Sequence, residues 1–285
     1  MQSLINLSLN TPAVKLKLLQ PKYVVKYLAL QTLSRFYKLL KTEQINLLLK
    51  MKYTYHNAHN RGKTNLGWLD SKHSFSFGQY FNPQLTNFGL LRVLNDDLVA
   101  PSMGFGKHPH QDMEIISIPL SGSLRHRDDM DNETIIKEGE IQVMSAGTGI
   151  EHSEFNNSKT EAVNFLQLWI FPKQKKLKPR YDQQSISKKI KNEWQQILSP
   201  HPNDSGVWIH QQAWINLGEF TTATSIDYSC HVEANGVYFF ILEGEAEIAT
   251  QQLGKRDAIG IWSFESAQIK VQSNTKILAI EVPMQ

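Results

Sequence analysis

The chain has 285 residues, of which 41% are hydrophobic, and its formal net charge is +3. Residues 1–50 carry eight basic side chains and one acidic one, which leaves 22 basic and 26 acidic side chains in residues 51–285. The mildly acidic main body argues against nucleic-acid binding, the single cysteine, Cys230, excludes an internal disulfide, and no apolar run approaches the roughly 20 residues that span a bilayer.

Residues 1–50 form a basic N-terminal extension whose composition changes abruptly at Met51. A helix is predicted over about residues 21–49, where lysines interrupt apolar stretches. The extension is interpreted as a helical amphipathic or transit-type arm, as a disordered segment, or as residues before a true start at Met51. Lys15 and Lys17 argue against a secretory signal, and with the single cysteine this predicts a cytoplasmic location.

From Leu66 onward the pattern predicts strands. Apolar segments of four to eight residues are separated by Gly, Asn, Asp or Pro. Closely spaced strands with turn signals indicate an all-β barrel or sandwich. The pattern occurs twice, which predicts a first domain over 51–175, a linker over 176–206 and a second domain over 207–285.

Two further segments refine this division. Leu120–Leu124 and Leu242–Ala246 each place a glycine between two apolar strands, which indicates two copies of one barrel. Within the linker, Ser187 to Leu198 is predicted to be helical, because Ile190, Trp194 and Ile197 would lie on one face of a helix.

Two short motifs, His108-Pro109-His110 and His152-Ser153-Glu154, predict a metal site. Each motif holds two ligand-type side chains two residues apart, and alternate residues of a strand point to the same face. Two such strands inside a barrel would bring together three imidazoles and one carboxylate, a set that suits a catalytic divalent transition metal with open positions. Glu114 has the same strand parity as His110, so parity alone does not choose between Glu114 and Glu154.

Most of the other histidines are predicted to play no part in this site. His56 and His59 lie in a polar segment, and His126 stands between Arg125 and Arg127, so these three are predicted to be solvent-exposed. The following are interpreted as satisfied core or surface residues: His73, His210 and His231.

The glycine and histidine spacing resembles the two motifs of the cupins, which form barrels of the jelly-roll type. The matching residues are Gly104, His108, His110, Glu114 and Gly122 in the first motif and Gly139, Gly147, Gly149, His152 and Asn156 in the second. More narrowly, residues 52–285 resemble the pirin family of bicupins, most densely over 65–182. The segments that carry this resemblance include Gly67–Asp70, His73–Phe77, Leu91–Asp97, Gly106–His110, Ser145–Glu154, Gln167–Ile170 and Pro179–Tyr181.

The resemblance implies an all-β bicupin with two tandem cupin barrels. It implies that Glu154 is the fourth metal ligand beside His108, His110 and His152, which leaves Glu114 to orient an imidazole. It also implies that the second barrel, which lacks a His-x-His motif, holds no metal. The implied cofactor is one divalent transition metal, with iron first and manganese, cobalt, nickel or copper as alternatives.

Pirin-like bicupins are associated with quercetinase activity. The resemblance therefore implies a dioxygenase that opens a flavonol such as quercetin with O₂, and Glu154 is the candidate catalytic base. Two barrels within one chain predict a monomer, and the charge and the apolar pattern predict neither direct nucleic-acid binding nor a membrane span. Two alternatives stay open. One is a non-enzymatic metal-binding redox sensor or transcriptional co-regulator that acts through protein partners, and the other is a storage or structural bicupin with an incidental metal.

Overall fold

Strands make up nearly all of the regular structure in the computed structural model, which describes residues 51–186, 188 and 190–285. The predicted N-terminal extension lies outside the described residues. One short 3-10 helix, Ala58–Asn60, follows the first strand. No helix in the described part of the chain has the length and hydropathy needed to cross a membrane.

The strands are numbered in chain order. The first twelve are β1 (Lys52–His56), β2 (Gly62–Asn65), β3 (Leu69–His73), β4 (Leu91–Val99), β5 (Gly104–His110), β6 (Glu114–Ser121), β7 (Ser123–Asp128), β8 (Glu133–Lys137), β9 (Glu140–Ser145), β10 (Ile150–Asn156), β11 (Val163–Ile170) and β12 (Arg180–Ser185). The others are β13 (Trp194–Ser199), β14 (Val207–Trp208), β15 (Trp214–Phe220), β16 (Thr224–Ser229), β17 (Asn235–Glu243), β18 (Ala246–Ile248), β19 (Gln251–Leu253), β20 (Ala258–Trp262), β21 (Ser266–Val271) and β22 (Thr275–Pro283).

These strands form two tandem cupin barrels, as predicted. The first barrel consists of a seven-stranded sheet, β12-β9-β6-β11-β4-β3-β2, and a four-stranded sheet, β5-β10-β7-β8. The second barrel repeats this plan with a seven-stranded sheet, β1-β20-β17-β22-β15-β13-β14, and a four-stranded sheet, β16-β21-β18-β19. The glycine turns predicted as a repeat are equivalent: Gly122 joins β6 to β7 with a φ of 75°, and Gly244 joins β17 to β18 with a φ of 78°.

The largest apolar core lies between the two seven-stranded sheets, and we call it the interbarrel core. Leu166 and Leu168 of β11 contribute to it from the first barrel, and Tyr238 and Phe240 of β17 contribute from the second. Phe239, on the opposite face of β17, packs inside the second barrel. Both faces of such a strand are buried, which explains why β17 has a continuous apolar sequence rather than an alternating one.

The predicted helix over Ser187 to Leu198 is wrong in its second half. Residues from Trp194 onward form β13, which pairs with β15. Ile197 and Leu198 are buried in the interbarrel core, and this tertiary pairing outweighs the helical spacing. The segment predicted as a linker also contains β12, which pairs with β9 of the first barrel.

The first strand of the described chain crosses to the second barrel. β1 pairs with β20, so that Tyr55 lies opposite Ile259. His56, predicted to be solvent-exposed, is half-buried: its Nδ1 lies 2.7 Å from the hydroxyl of the buried Tyr238, and burial lowers its pKa to about 4. His59 is exposed, as predicted.

Candidate metal centre

Strands β5 and β10 place the predicted histidines next to one another in the four-stranded sheet of the first barrel. The two strands are antiparallel, with His108 directly opposite His152. A register shift falls between His152 and Glu154. On its other side β10 pairs with β7, where Glu154 lies opposite His126. Period-two alternation points His152 and Glu154 of β10 inward, and both are buried.

The three predicted imidazole ligands form one cluster. The ring centroids are 4.9 Å apart for His108 and His110, 4.5 Å for His108 and His152, and 4.9 Å for His110 and His152. One ring nitrogen from each residue lies within 4.8 Å of the other two. His152 is buried, whereas His108 and His110 are half-buried, so the cluster borders solvent on its β5 side.

The ring nitrogens of this cluster have the hydrogen-bond state that a metal ligand needs. Nδ1 of His108 lies 2.7 Å from the carbonyl oxygen of Gly106. A carbonyl can only accept, so Nδ1 carries the proton and Nε2 keeps its lone pair. Nε2 of His110 and both ring nitrogens of His152 are buried without a hydrogen-bond partner.

Two of the imidazoles are held neutral by their surroundings. Burial, and then the neighbouring imidazoles, lower the pKa of His110 to about 4 and that of His152 to about 3. A neutral imidazole is the form that binds a metal. The unpartnered nitrogens and the low pKa values fit a divalent transition metal at this cluster.

Glu154 lies beside the imidazole cluster but belongs to a different group of ligand-type atoms. Its Oε1 accepts a hydrogen bond from Oγ of Ser117 at 2.9 Å, and its Oε2 accepts one from Nε2 of Gln167 at 2.6 Å. One of its carboxylate oxygens lies within 4.8 Å of nitrogens of His152 and His126. The structure thus brings three of the four predicted ligands together, and the complete set stays a prediction.

The prediction that His126 is solvent-exposed is wrong. Its side chain is 0% exposed, because β7 turns Leu124, His126 and Asp128 inward and the flanking arginines outward. Its Nε2 lies 3.1 Å from Oδ2 of Asp128, and its ring centroid is 5.4 Å from that of His152. The signal that identifies His108 and His110, two polar side chains at alternate positions of a strand, is also present in His126-Arg127-Asp128.

Glu114 does not orient an imidazole. Its Oε2 accepts a hydrogen bond from Oγ of Ser145 at 2.6 Å, and no hydrogen bond joins it to a histidine side chain in the described residues. The side chain is 1% exposed, and burial raises its pKa from the usual 4.5 to about 7. Glu114 is therefore a buried, protonatable carboxyl of the barrel wall.

We expect Glu114→Gln to flatten the pH dependence of stability. The carboxyl of Glu114 holds its proton up to about pH 7 in the folded protein, whereas it releases the proton near pH 4.5 in the unfolded chain. The protonated carboxyl therefore contributes fully to the free energy of unfolding below pH 4.5, and this contribution is lost as the pH rises to about 7. The change across this window should be roughly 1–3 kcal/mol in the free energy of unfolding. Urea unfolding of the metal-free protein at several pH values between 4.5 and 7 measures this change, with Glu133→Gln at an exposed position as the control. The prediction is contradicted if the free energy of unfolding depends on pH in the same way in wild type and in Glu114→Gln.

In the second barrel, His231 is a satisfied structural residue, as predicted. Its Nδ1 lies 2.8 Å from Oε2 of Glu281, and its ring stacks on Trp214 with centroids 4.5 Å apart. Both groups of ligand-type side chains found in the described residues lie in the first barrel.

Comparisons with known proteins agree with this architecture. Residues 54–170 match the family model described as Pirin, and residues 196–282 match the model described as Quercetinase C-terminal cupin domain. The quercetin 2,3-dioxygenase of Escherichia coli (strain K12) is 36% identical over 230 residues, which cover 79% of this chain and 96% of that protein.

Two crystal structures from Escherichia coli are similar over most of the chain. YhhW matches with a TM-score of 0.78 and 35% identity, covering 81% of this chain and 98% of that one. The bacterial pirin YhhW in complex with nickel(II) matches with a TM-score of 0.77 and 34% identity, covering 81% and 99% of the two chains. Matches of this identity and extent, together with the match to the Pirin model, show that the chain belongs to the pirin family.

Proposed function

We propose that this chain is a metal-dependent dioxygenase that opens the heterocycle of a flavonol such as quercetin with O₂. The observation that supports this best is the cluster of three imidazoles next to a buried carboxylate, in which Nε2 of His110 and both ring nitrogens of His152 are buried without partners. The relative from Escherichia coli that is named quercetin 2,3-dioxygenase supplies the substrate class. The cytoplasmic location and the monomeric state stay predictions.

The proposed ligands are His108, His110, His152 and Glu154, and the proposed ion is Fe²⁺, with Mn²⁺, Co²⁺, Ni²⁺ and Cu²⁺ as alternatives. Nickel is included on the added ground that a crystal structure of YhhW contains it. When bound, such an ion supplies a Lewis acid for the flavonol hydroxyl and a redox-active centre for O₂. Ser117 and Gln167 hold the carboxylate of Glu154 beside the imidazoles, and its remaining lone pairs would be available to bind the ion.

Glu154 is the proposed base that accepts the proton of the flavonol 3-hydroxyl. Ser117 and Gln167 both donate to its carboxylate, and Nε1 of Trp169 donates to Oε1 of Gln167 at 3.2 Å, which fixes the orientation of that amide. The Trp169 ring also lies 4.9 Å from the ring of His110, at an interplanar angle of 83°. It therefore forms an aromatic wall beside the cluster, suited to a planar substrate.

The proposed reaction has a defined stoichiometry. Protein purified without a histidine tag is analysed for metals, reloaded with Fe²⁺ or Ni²⁺, and mixed with quercetin. We expect one O₂ to be consumed and one carbon monoxide to be released for each quercetin opened to the depside. Stoichiometric metal without turnover of any of several flavonols contradicts the proposal, and redox-dependent capture of a protein partner would then favour the sensor alternative.

Glu154→Gln is expected to reduce turnover far more than it weakens metal binding. The amide can still be held by neighbouring groups but cannot accept the proton, and removal of a general base typically costs about 10²–10⁴-fold in rate. Metal content and the turnover number are measured together. The matched control is Glu151→Gln, at an exposed position of the same strand. Equal losses of metal and turnover would restrict Glu154 to the role of a ligand.

A further inference from the structure

We propose that the first barrel contains a second, inner position for a divalent transition metal, formed by His126, His152 and Glu154. One ligand-type atom from each residue lies within 4.8 Å of the other two. The three side chains are 0%, 2% and 1% exposed, whereas His108 and His110 of the outer position are half-buried. Two histidines and one carboxylate are the donor set of the non-haem iron sites that leave coordination positions open.

His126 has the arrangement of a metal-binding histidine. Its Nε2 lies 3.1 Å from a carboxylate oxygen of Asp128, so the proton resides on Nε2. Asp128 is itself fixed, because the backbone nitrogens of Met130 and Asn132 donate to its Oδ1 at 2.9 and 3.1 Å. Nδ1 of His126 is left with a lone pair, buried and without a partner. A carboxylate that holds one imidazole nitrogen while the other faces an ion is the usual support of such ligands.

A purely structural role does not explain why the buried ring nitrogens of His126 and His152 lack hydrogen-bond partners. His73, a buried histidine of the same barrel, has both ring nitrogens within 2.9 Å of polar side-chain oxygens, those of Thr64 and Asn95. His126 lacks a partner on one nitrogen and His152 lacks one on both. A buried polar atom without a partner destabilises the folded state, because it loses its hydrogen bonds to water and gains none. A cation at the inner position would remove this penalty at two imidazoles, and Glu154 would balance part of its charge.

The inner and outer positions exclude one another. Both use His152, and the proposed outer set also uses Glu154, so we expect a single ion to occupy one position or the other. Two dications within one such cluster would also repel each other strongly. The inner position goes beyond the proposed catalytic role, because it predicts that the barrel keeps its ability to bind metal when the outer histidines are removed.

The test uses the full chain, stripped of metal with a chelator and titrated with Co²⁺, whose visible absorption reports coordination. Wild type is expected to bind one Co²⁺ per chain. The outer-blocked variant, His108→Ala with His110→Ala, is expected to bind one Co²⁺ as well, with weaker affinity and a changed spectrum. Adding His126→Ala to this variant should weaken binding by at least a further 100-fold or so, since even a group behind a ligand contributes about 10- to 100-fold.

The proposal is overturned if the outer-blocked variant binds Co²⁺ no better than the same variant with His126→Ala. The inner position is rejected, and the proposed function is left intact, if the outer-blocked variant binds no metal while wild type binds metal and opens quercetin. Outer-blocked protein that turns over quercetin like wild type would instead reject the proposed catalytic ligands.

Two controls separate binding from folding. His59→Ala replaces an exposed histidine that belongs to neither group and should leave the Co²⁺ titration unchanged. Where His126→Ala does not give a native circular dichroism spectrum, His126→Gln keeps the side-chain volume and a donor for Asp128 while removing the imidazole nitrogen. The same loss of Co²⁺ binding is then required of His126→Gln, and unchanged binding overturns the proposal.

Discussion

Replacing His152 by alanine is expected to remove both metal binding and flavonol turnover. His152 belongs to both groups of ligand-type side chains, so the change removes one donor from each position: the proposed outer set of four keeps three, and the inner set of three keeps two. Metal affinity should fall by at least about 100-fold, beyond the effect of losing a group that only supports a ligand. The fold should persist, because the imidazole makes no hydrogen bond and the interbarrel core does not include it.

Elemental analysis after dialysis and the quercetin assay measure the two effects, and near-ultraviolet circular dichroism verifies the fold. The matched control is His201→Ala, which removes an exposed histidine of the second half of the chain. His152→Ala with a wild-type metal content would contradict the assignment of both positions. A natively folded variant that has lost metal but still opens quercetin would separate metal binding from catalysis and reject the proposed mechanism.

The part of the site that follows strand alternation could be predicted from the sequence. His108, His110 and His152 were identifiable because two donors at alternate positions of a strand share a face, whatever the neighbouring strands are. His126 follows the same rule but stands between two arginines, and local sequence does not tell which face of β7 is inward. That choice depends on Leu124 and Asp128 packing inside the barrel, which only the three-dimensional structure establishes.

Long-range pairing sets the limit of the fold prediction. The two barrels and their glycine turns follow from local patterns of apolar residues and turn residues. The pairing of β1 with β20 joins opposite ends of the described chain, and no local pattern specifies such a partner. The helical spacing over β13 predicts the wrong element for the same reason: Ile197 and Leu198 are buried by neighbouring strands and the interbarrel core, and not by a periodic face of their own segment.

A charged cluster between the barrels provides the largest expected effect on stability. Asp96 lies on β4 of the first barrel, and its Oδ2 is 2.9 Å from Nε of Arg256 in the second and 3.5 Å from Nη1 of Arg61. Its Oδ1 accepts a hydrogen bond from Asn164 at 2.8 Å. The Asp96 and Arg256 side chains are only 11% and 17% exposed, and that of Arg61 is 3% exposed. One carboxylate therefore pairs with two guanidinium groups that water hardly reaches, and it offsets one of their two positive charges.

Asp96→Asn should lower the free energy of unfolding by about 3–5 kcal/mol, because it leaves buried cations without their counter-charge. Urea unfolding followed by tryptophan fluorescence measures this effect, and the surface pair of Glu247 and Lys270, with side chains 31% and 55% exposed, supplies the control. Glu247→Gln should leave the midpoint nearly unchanged, since solvent screens that pair. Equal midpoints for Asp96→Asn and Glu247→Gln would contradict the role of Asp96.

Because Asp96 and Arg256 belong to different barrels, the same variant tests whether this ion cluster holds the two barrels in one cooperative unit. A second unfolding transition that appears in Asp96→Asn, and in neither wild type nor Glu247→Gln, would show that it does.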